Sequence, residues 1–481
     1  MARTSSNCPL LDYYGVIGVN WPCHLENTVT MNAALDQYQC IGVVGAGLTG
    51  VSCARFLSKQ GLPFKWFDSR SAMINDQQVQ QWSRQSTGYF EPFKPTTFIG
   101  CDLLLVSPGV SLNEPAIQQA VVAGSQIASD LELFVALNTK PVIAITGSNG
   151  KSTVATLCAK IIESLSKKVC LAGNIGYPVL DAWIEQPDSD VFVLELSSFQ
   201  LERVECLQAN VVTVLNITPD HMDRYDNFEA YCQQKWNIFR GAGHAVCHTD
   251  DAMTKPNNPA IVCSTYQLGA DKHSDLNLQI RDGRSMICAG NEAILDTSAL
   301  RIVGLHNIAN VMVAMLLVRA LLGVTWQAMI NACTQFSGLN HRCAWVRSLA
   351  GIDFYNDSKA TNPEAAIAAI TSIRNIKDAV TLIAGGQDKD SDFKALATCI
   401  KNHVDSVVII GEHGSRLAQL LPAHIVHYAQ SMESAVTIAW NHAQTGGAVL
   451  LSPAFASFDW FENYQHRGEV FENAVMGLRD E

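Results

Sequence analysis

"PVIAITGSNGKSTVATL", residues 141–157, decides how this chain is read. Val142–Ile145 is a short apolar run of the kind that forms a buried strand, and Val154 opens a helical pattern. The turn between them carries Gly147, Ser148, Asn149, Gly150, Lys151, Ser152 and Thr153. Backbone N–H groups in such a loop can cradle phosphate, the lysine can neutralise β- and γ-phosphates, and Ser152 or Thr153 can reach a magnesium ion. A standard phosphate loop has four residues between its first glycine and the Gly-Lys pair. Here that first position is Ile145, and the loop is only G-S-N-G-K-S. The bland alternative is an ordinary glycine turn before a helix.

The bulk numbers bound what the loop can belong to. At 481 residues the chain is too long for one core, and two to four domains are expected. Hydrophobic content of 48% and charged content of 16% are those of a folded protein. A formal net charge of −12 argues against a nucleic-acid partner, which wants a basic face, but not against small anions met by a local positive pocket. The 15 cysteines form no C-x-x-C pair and read as reduced, packed thiols, as at Cys53, Cys158, Cys206 and Cys333. Val311–Val324, the longest apolar stretch, is broken by Arg319 and is shorter than the ~18 residues a membrane span needs. No basic region followed by an apolar one opens the chain, so no signal peptide is read and the cytoplasm is expected.

Short apolar strands alternate with helical patterns from residue 40 onward, which predicts parallel sheets with helices on their faces. "IGVVGAG" leads into a helix from Leu48, "PFKWFD" ends at Asp68, and "CDLLLVSPG" ends in a turn at Pro108-Gly109. Helical patterning at Asp130–Leu137 leads into a second block, with strands "VFVLEL" and "ANVVTVLNI" and a long buried helix in "GLHNIANVMVAMLLVRALLG". A third block starts near Leu339, with strands "AVTLIAGG", "DSVVIIG" and "GAVLLSPA". Residues 1–38 carry little pattern, and a flexible extension or a chain start at Met31 both stay open.

Several post-strand loops add chemistry. "GAGLTG" (45–50) has the G-x-G-x-x-G spacing of a dinucleotide turn, and Asp68 ends the next strand, where an acid meets a ribose or base. "LELSSFQL" (194–201) puts Glu195 at a strand end, where a buried carboxylate is costly alone and reasonable as a metal ligand. "NITPDHMDRY" (216–225) crowds Asp220, His221, Asp223 and Arg224, which suits a divalent ion and a phosphate, or a cap and salt-bridge cluster. Lys235 in "YCQQKWNIF" reads by default as a surface lysine. "HRCAWV" and "FYNDSKATNPEA" follow across a hairpin-like stretch, and Thr361 and Asn362 before Pro363 suit a helix start. "AGGQDKDSDF" and "LLSPAFASFDWFENYQHRGEVF" are two further loops of this kind.

Together these strings resemble the Mur ligase family of bacterial peptidoglycan synthesis over residues 40–475. The most specific are "ELSSFQL", "DHMDRY", "NDSKATN" and "LSPAFASFDWF" followed by Arg467-Gly468. The resemblance implies an α/β chain of three domains: a Rossmann-like UDP-binding domain over 39–130, a central P-loop ATPase-like domain with a parallel sheet over 131–338, and a Rossmann-like amino-acid-binding domain over 339–481. It implies ATP-dependent addition of D-glutamate to UDP-N-acetylmuramoyl-L-alanine through an acyl phosphate and a tetrahedral intermediate. The implied cofactors are ATP and two Mg2+ ions, with Mn2+ as a substitute, and Lys235 is the lysine the family carbamylates. A cytoplasmic monomer acting on small molecules, with no membrane partner, completes the expectation.

Carried over residue by residue, the resemblance places Gly147 to Thr153 on the ATP phosphates, and makes Lys151, Glu195, His221 and Lys235 the catalytic set. Ser152, Glu195, His221 and carbamylated Lys235 are the implied metal ligands. His306, Asn307, Asn310, Arg342 and Asp357 should surround adenine and ribose. Leu48, Thr49, Asp68, Ser69, Arg70, Gly109, Asn174 and Ser197 should bind the UDP substrate, which replaces NAD as the meaning of "GAGLTG". Lys359, Thr361, Lys389, Ser457 and Tyr464 should hold D-glutamate. Tyr464 stands where phenylalanine is expected, and Asp388 and Asp390 flank Lys389. The competing readings are a folylpolyglutamate synthase or another Mur ligase, a nicotinamide dehydrogenase suggested only by "GAGLTG", and a catalytically dead scaffold.

Overall fold

A computed structural model describes residue 35 and residues 37–83, 86–222, 224–271, 273–302, 304–388 and 391–479. Most of the opening extension, Asp223, and the expected glutamate ligand Lys389 with its neighbour Asp390 lie outside the described residues. The described chain forms two compact units. One takes the residues up to 146 with 167–212 and 234–243, and the other takes 147–166, 213–233 and 244 onward.

In the first unit, β1 (Ile41–Val44), β2 (Phe64–Asp68), β3 (Ser86–Phe90), β4 (Leu103–Val106) and β5 (Gln126–Ala128) form a parallel sheet in the order β3-β2-β1-β4-β5. Its helices are α1 (Leu48–Lys59), α2 (Gln77–Ser83), α3 (Pro115–Val122) and α4 (Asp130–Leu137). Every residue of β1 and β4 is buried, as expected of parallel strands covered on both faces. The strand order reverses between β1 and β4, so the "GAGLTG" turn and Gly109 share the crevice where open α/β sheets take ligands. Sequence reading missed β3, a polar edge strand with a largely exposed pattern. Packing begins before residue 39, since Leu35 is fully buried and the Tyr38 hydroxyl donates to Gln126 Oε1 at 2.5 Å.

The chain continues through β6 (Val142–Thr146), α5 (Lys151–Ser164), β7 (Val169–Gly173), α6 (Val179–Glu185), β8 (Val191–Glu195), α7 (Ser198–Leu201), β9 (Val211–Val214) and α8 (Phe228–Trp236). In the first unit β6, β8 and β7 pair in that order, all parallel. Arg55 of α1 pairs with Asp181 and Glu185 of α6 at 3.0 and 3.2 Å, and Arg203 donates to the carbonyls of Val106 and Val110.

Asp130, at the start of α4, is 2% exposed, and its Oδ1 has no hydrogen-bond partner. Burial raises its carboxyl from 3.8 to about 6, against the pull of nearby Arg203. A group whose folded pKa is raised favours the fold below its unfolded pKa and loses that contribution as pH rises through the folded one. Asp130→Asn should therefore match the wild type near pH 4 and exceed it above pH 7, by at most about 3 kcal/mol. Denaturant unfolding at both pH values checks this, and an equal difference at the two would reject it.

In the second unit, β10 (His244–His248) and β11 (Val262–Gln267) are parallel, and β12 (Leu276–Arg281), β13 (Arg284–Ala289) and β14 (Glu292–Asp296) continue as an antiparallel meander. The expected long buried helix is α9 (Leu305–Leu322), followed by α10 (Gln327–Gln335). At 18 residues and mean hydropathy 1.7, α9 is long and apolar enough to cross a membrane, contrary to the shorter apolar stretch read from sequence. Asn310–Val318 are all buried and α9 packs against α5, which is how a core helix is used.

The last block holds β15 (Ala344–Leu349), β16 (Ile352–Asn356), α11 (Pro363–Arg374), β17 (Val380–Gly385), α12 (Lys394–His403), β18 (Ser406–Ile410), α13 (Ser415–Ala418), β19 (Val426–Tyr428), α14 (Met432–His442), β20 (Ala448–Leu451) and α15 (Tyr464–Gly477). Its sheet runs β15-β16-β20-β17-β18-β19, antiparallel only between β15 and β16. Because β16, β20 and β17 are parallel neighbours, the loops that follow them emerge side by side. The described cysteines are all free thiols, but Cys206 and Cys263 are exposed rather than packed.

Candidate active site

The expected phosphate loop, from Gly147 to Thr153, is shaped by contacts within the second unit. Gly147 and Gly150 take φ of 148° and 87°. A methyl group on Gly150 would stand 2.7 Å from Asn310 Oδ1, and one on Gly147 would stand 3.0 Å from Leu215 Cβ, so both positions need glycine. Asn216, which sequence reading did not single out, clamps the loop. Its carbonyl accepts from Ser148 N (2.9 Å), its Oδ1 from Asn149 N (2.9 Å), and its Nδ2 donates to Asn149 O (3.1 Å). Ser148 Oγ donates to Thr218 O, accepts from Thr218 N, and lies 3.1 Å from the Tyr231 hydroxyl, so its side chain is structural. Lys151 Nζ donates to the carbonyls of Gly147 and Ser148 at 2.8 and 2.9 Å, which holds the ammonium across the loop mouth. Helix α5 starts there with no side-chain cap and no acidic residue in its first turn, which leaves a positive end for an anion.

Arg342 reaches this loop, its Nη2 donating to Ser152 Oγ at 2.8 Å. Asn310 Nδ2 donates to Asn307 Oδ1 at the start of α9. His306 Nδ1 lies 3.4 Å from Ser372 Oγ of α11. Asp357 is buried, accepts from Cys343 N and Ser452 Oγ, and is raised to about 7 by burial. His221 sits at φ 57°; its N–H donates to Asp220 Oδ1, and its Nε2 is 3.7 Å from Asp220 Oδ2.

In the first unit, Glu195 is 2% exposed rather than solvent-facing. Asn174 Nδ2 donates to Glu195 Oε1 at 2.9 Å, and Glu195 Oε2 is buried with no hydrogen-bond partner. Such an orphaned carboxylate oxygen is costly without a cation or donor, so it fits a divalent metal. Among the described residues no group of three His, Cys, Asp or Glu side chains stands ready to hold a metal. Magnesium needs no such cluster, since it takes one or two carboxylates and completes its shell with phosphate oxygens and water. Lys235 is 2% exposed, which overturns its reading as a surface lysine. Ser197 caps α7, its Oγ accepting from Gln200 N.

At the β1–α1 crevice Leu48 is 76% exposed, while Ser69, Arg70 and Gly109 are exposed and Thr49 is half-buried. Asp68 has both oxygens engaged by protein donors: Oδ2 accepts from Ala46 N (2.7 Å), and Arg70 bridges both oxygens through Nε and Nη2 (2.9 and 2.8 Å). Burial alone would raise its carboxyl, but the bonds from Arg70 and Ala46 hold it below the usual range. Asp68 thus fixes the glycine turn and holds the exposed Arg70 side chain.

In the last block Lys359 Nζ stands 3.9 Å from the Tyr464 ring centroid, a cation–π contact. Ser457 is buried and Thr361 half-buried. Asn362 caps α11 through Ala365 N, which leaves its side chain structural. The Asp388 carboxylate pairs with Arg416, and its Oδ1 also accepts from Ser391 N at 3.0 Å.

Family models match the chain in order: a MurD-like N-terminal domain at residues 39–129, the Mur ligase middle domain at 145–318, and the Mur ligase glutamate ligase domain at 341–455. A UDP-N-acetylmuramoylalanine--D-glutamate ligase of Nitrosococcus oceani is 40% identical over 91% of this chain and 96% of its own. One of Marinobacter nauticus is 41% identical over 91% and 98%. Among solved structures, a UDP-N-acetylmuramate-alanine ligase of Thermotoga maritima shares the fold at TM-score 0.58 and 15% identity, over 91% of this chain and 99% of its own. A pseudomurein peptide ligase type C of Methanothermus fervidus does so at 0.57 and 14%, over 90% and 99%. With three family domains in sequence and two-fifths identity across nine-tenths of its length, the chain belongs to the Mur ligase family.

Proposed function

We propose that the chain joins D-glutamate to the terminal carboxylate of UDP-N-acetylmuramoyl-L-alanine at the expense of ATP, in peptidoglycan precursor synthesis. The observation that carries this reading is the near full-length likeness, at about 40% identity, to ligases bearing that activity in their names. The phosphate loop supports it, because it offers a lysine, a helix N-terminus and a serine together.

A carboxylate resists attack by an amine, so it must first gain a leaving group. One carboxylate oxygen attacks the γ-phosphorus, ADP departs, and an acyl phosphate forms. The amine nitrogen then attacks the acyl carbon, the tetrahedral intermediate expels phosphate, and the nitrogen loses its proton to leave an amide. Lys151 offsets charge on the β- and γ-phosphates while the loop N–H groups orient them. Glu195 Oε2, Ser152, His221 and carbamylated Lys235 would hold magnesium, with manganese as a substitute. When bound, magnesium neutralises crowded phosphate oxygens. Arg342 would release Ser152 and turn to the nucleotide, with His306, Asn307, Asn310 and Asp357 around adenine and ribose. Leu48, Thr49, Ser69, Arg70, Gly109, Asn174 and Ser197 would line the UDP-substrate site, with Asp68 holding Arg70. Lys359, Thr361, Lys389, Ser457 and Tyr464 would hold D-glutamate, with domains 39–130, 131–338 and 339–481 acting as a cytoplasmic monomer.

Phosphate release from ATP with magnesium and UDP-N-acetylmuramoyl-L-alanine should require D-glutamate, with the matching product mass. L-glutamate and L-lysine should not replace it. Release that depends on a different amino acid would keep the ligase chemistry and overturn the acceptor assignment.

A further inference from the structure

Arg467 lies on α15 with no exposed surface, which makes it the one fully buried arginine among the described residues. A buried guanidinium is costly unless its donors are met. Here Nε donates to Ser358 Oγ (3.0 Å), Nη2 to Ser358 O (2.7 Å), and Nη1 to the carbonyls of Phe455 (3.0 Å) and Ala456 (3.3 Å). Burial pushes its pKa down to about 10, with the Asp459 and Asp357 carboxylates opposing, so the group stays charged at neutral pH.

The acceptors sit on two loops, and further bonds carry the restraint onward. Ser358 Oγ donates to the Tyr464 carbonyl at 2.8 Å, at the head of α15. Ala456 O also accepts from Gln387 N, and Ala456 N donates to Gln387 O, both at 2.9 Å, which brings in the loop after β17. A methyl group on Gly386 would stand 3.3 Å from Arg467 Nη1 and 2.2 Å from Ala456 O, so that loop approaches the guanidinium closely. The neighbouring glycine of the same helix has a matching reason: a methyl group on Gly468 would stand 2.2 Å from His341 Nδ1.

We propose that Arg467 is a positioning residue for the acceptor amino acid, fixing the mutual spacing of the post-strand loops that carry Lys359, Thr361 and Ser457 and of the α15 start at Tyr464. This rests on reading those four residues as the acceptor site. The geometry favours positioning over general packing because all of its hydrogen bonds go to loop atoms at residues 358, 455 and 456. Lysine cannot substitute, since its donors diverge from a single atom and cannot span Ser358 and the 455–456 carbonyls together.

Arg467→Lys and Ser358→Ala test this by initial rates with each substrate varied in turn, alongside thermal unfolding. Arg467→Lys should raise the D-glutamate KM about tenfold or more while the KM of ATP and of the UDP substrate stay within about twofold. Ser358→Ala, which removes only the bridging hydroxyl, should raise the D-glutamate KM about threefold to tenfold. An unchanged D-glutamate KM in both variants, or a parallel rise in all three KM values, would overturn the proposal. If Arg467→Lys does not fold, Ser358→Ala decides alone by the same readout. Failure of the underlying reading is separate, because it would appear in the wild type as turnover with another amino acid, whose KM would then be the one followed.

Discussion

Replacing Lys151 by methionine should lower kcat/KM by on the order of a thousandfold while the protein still unfolds in a single cooperative transition. The ammonium is already held over the loop by the carbonyls of Gly147 and Ser148, so ATP meets a charge in place rather than one recruited from solvent. Methionine keeps the length and the apolar stem but removes both the charge and its donors. What remains of the positive potential is Arg342, whose Nη2 reaches Ser152 Oγ, and the uncapped start of α5, worth only a fraction of a unit charge. The loop itself should survive, because its clamp is Asn216 and the Ser148–Thr218 pair, which the substitution leaves alone. Arginine should not restore the rate, since a planar guanidinium cannot occupy the point position of an ammonium between two carbonyls. Rates of phosphate release and equilibrium binding of ATP check the expectation. A loss smaller than about tenfold with ATP binding intact would mean that the loop amides and Arg342 carry the phosphate charge without the lysine.

What the sequence revealed and what it hid follow from the range of the interactions involved. The three α/β blocks were legible because buried parallel strands such as β6 and β8 are unbroken apolar runs. The meander β12 to β14 was not, because its strands mix buried, half-buried and exposed residues without a clean alternation. The glycine turn at 147–150 could be read from local glycine and lysine spacing. Its clamp could not, since Asn216 and Tyr231 meet Asn149 and Ser148 from 67 and 83 residues away and only the fold brings them there. Asp68 was legible as an important acid at the right strand end, but not as one whose oxygens are filled by Ala46 and Arg70. Asp388 was legible only as an acid flanking Lys389, and its carboxylate turns onto Arg416, a partner that sequence spacing does not announce.

Lys235→Ala should cost on the order of a hundredfold to a thousandfold in kcat, an effect that a surface lysine on a helix would never produce. The side chain lies in the last turn of α8 with 2% of its surface exposed. The carbamylation proposed for this residue would change its charge: carbon dioxide adds to the neutral amine, a proton leaves, and the product is an anionic oxygen donor that a divalent cation can pair with. Glu195, buried in the same unit with Oε2 unpartnered, is the other oxygen donor in that proposal. The wild type incubated with carbon-13 bicarbonate should show a carbamate carbon signal that Lys235→Ala lacks, and bicarbonate-free buffer should slow the wild type reversibly. Retention of full rate without bicarbonate, together with no labelled carbamate, would reject the modification. Glu195 Oε2 would then be the principal carboxylate donor, and Glu195→Gln would become the more damaging substitution of the two.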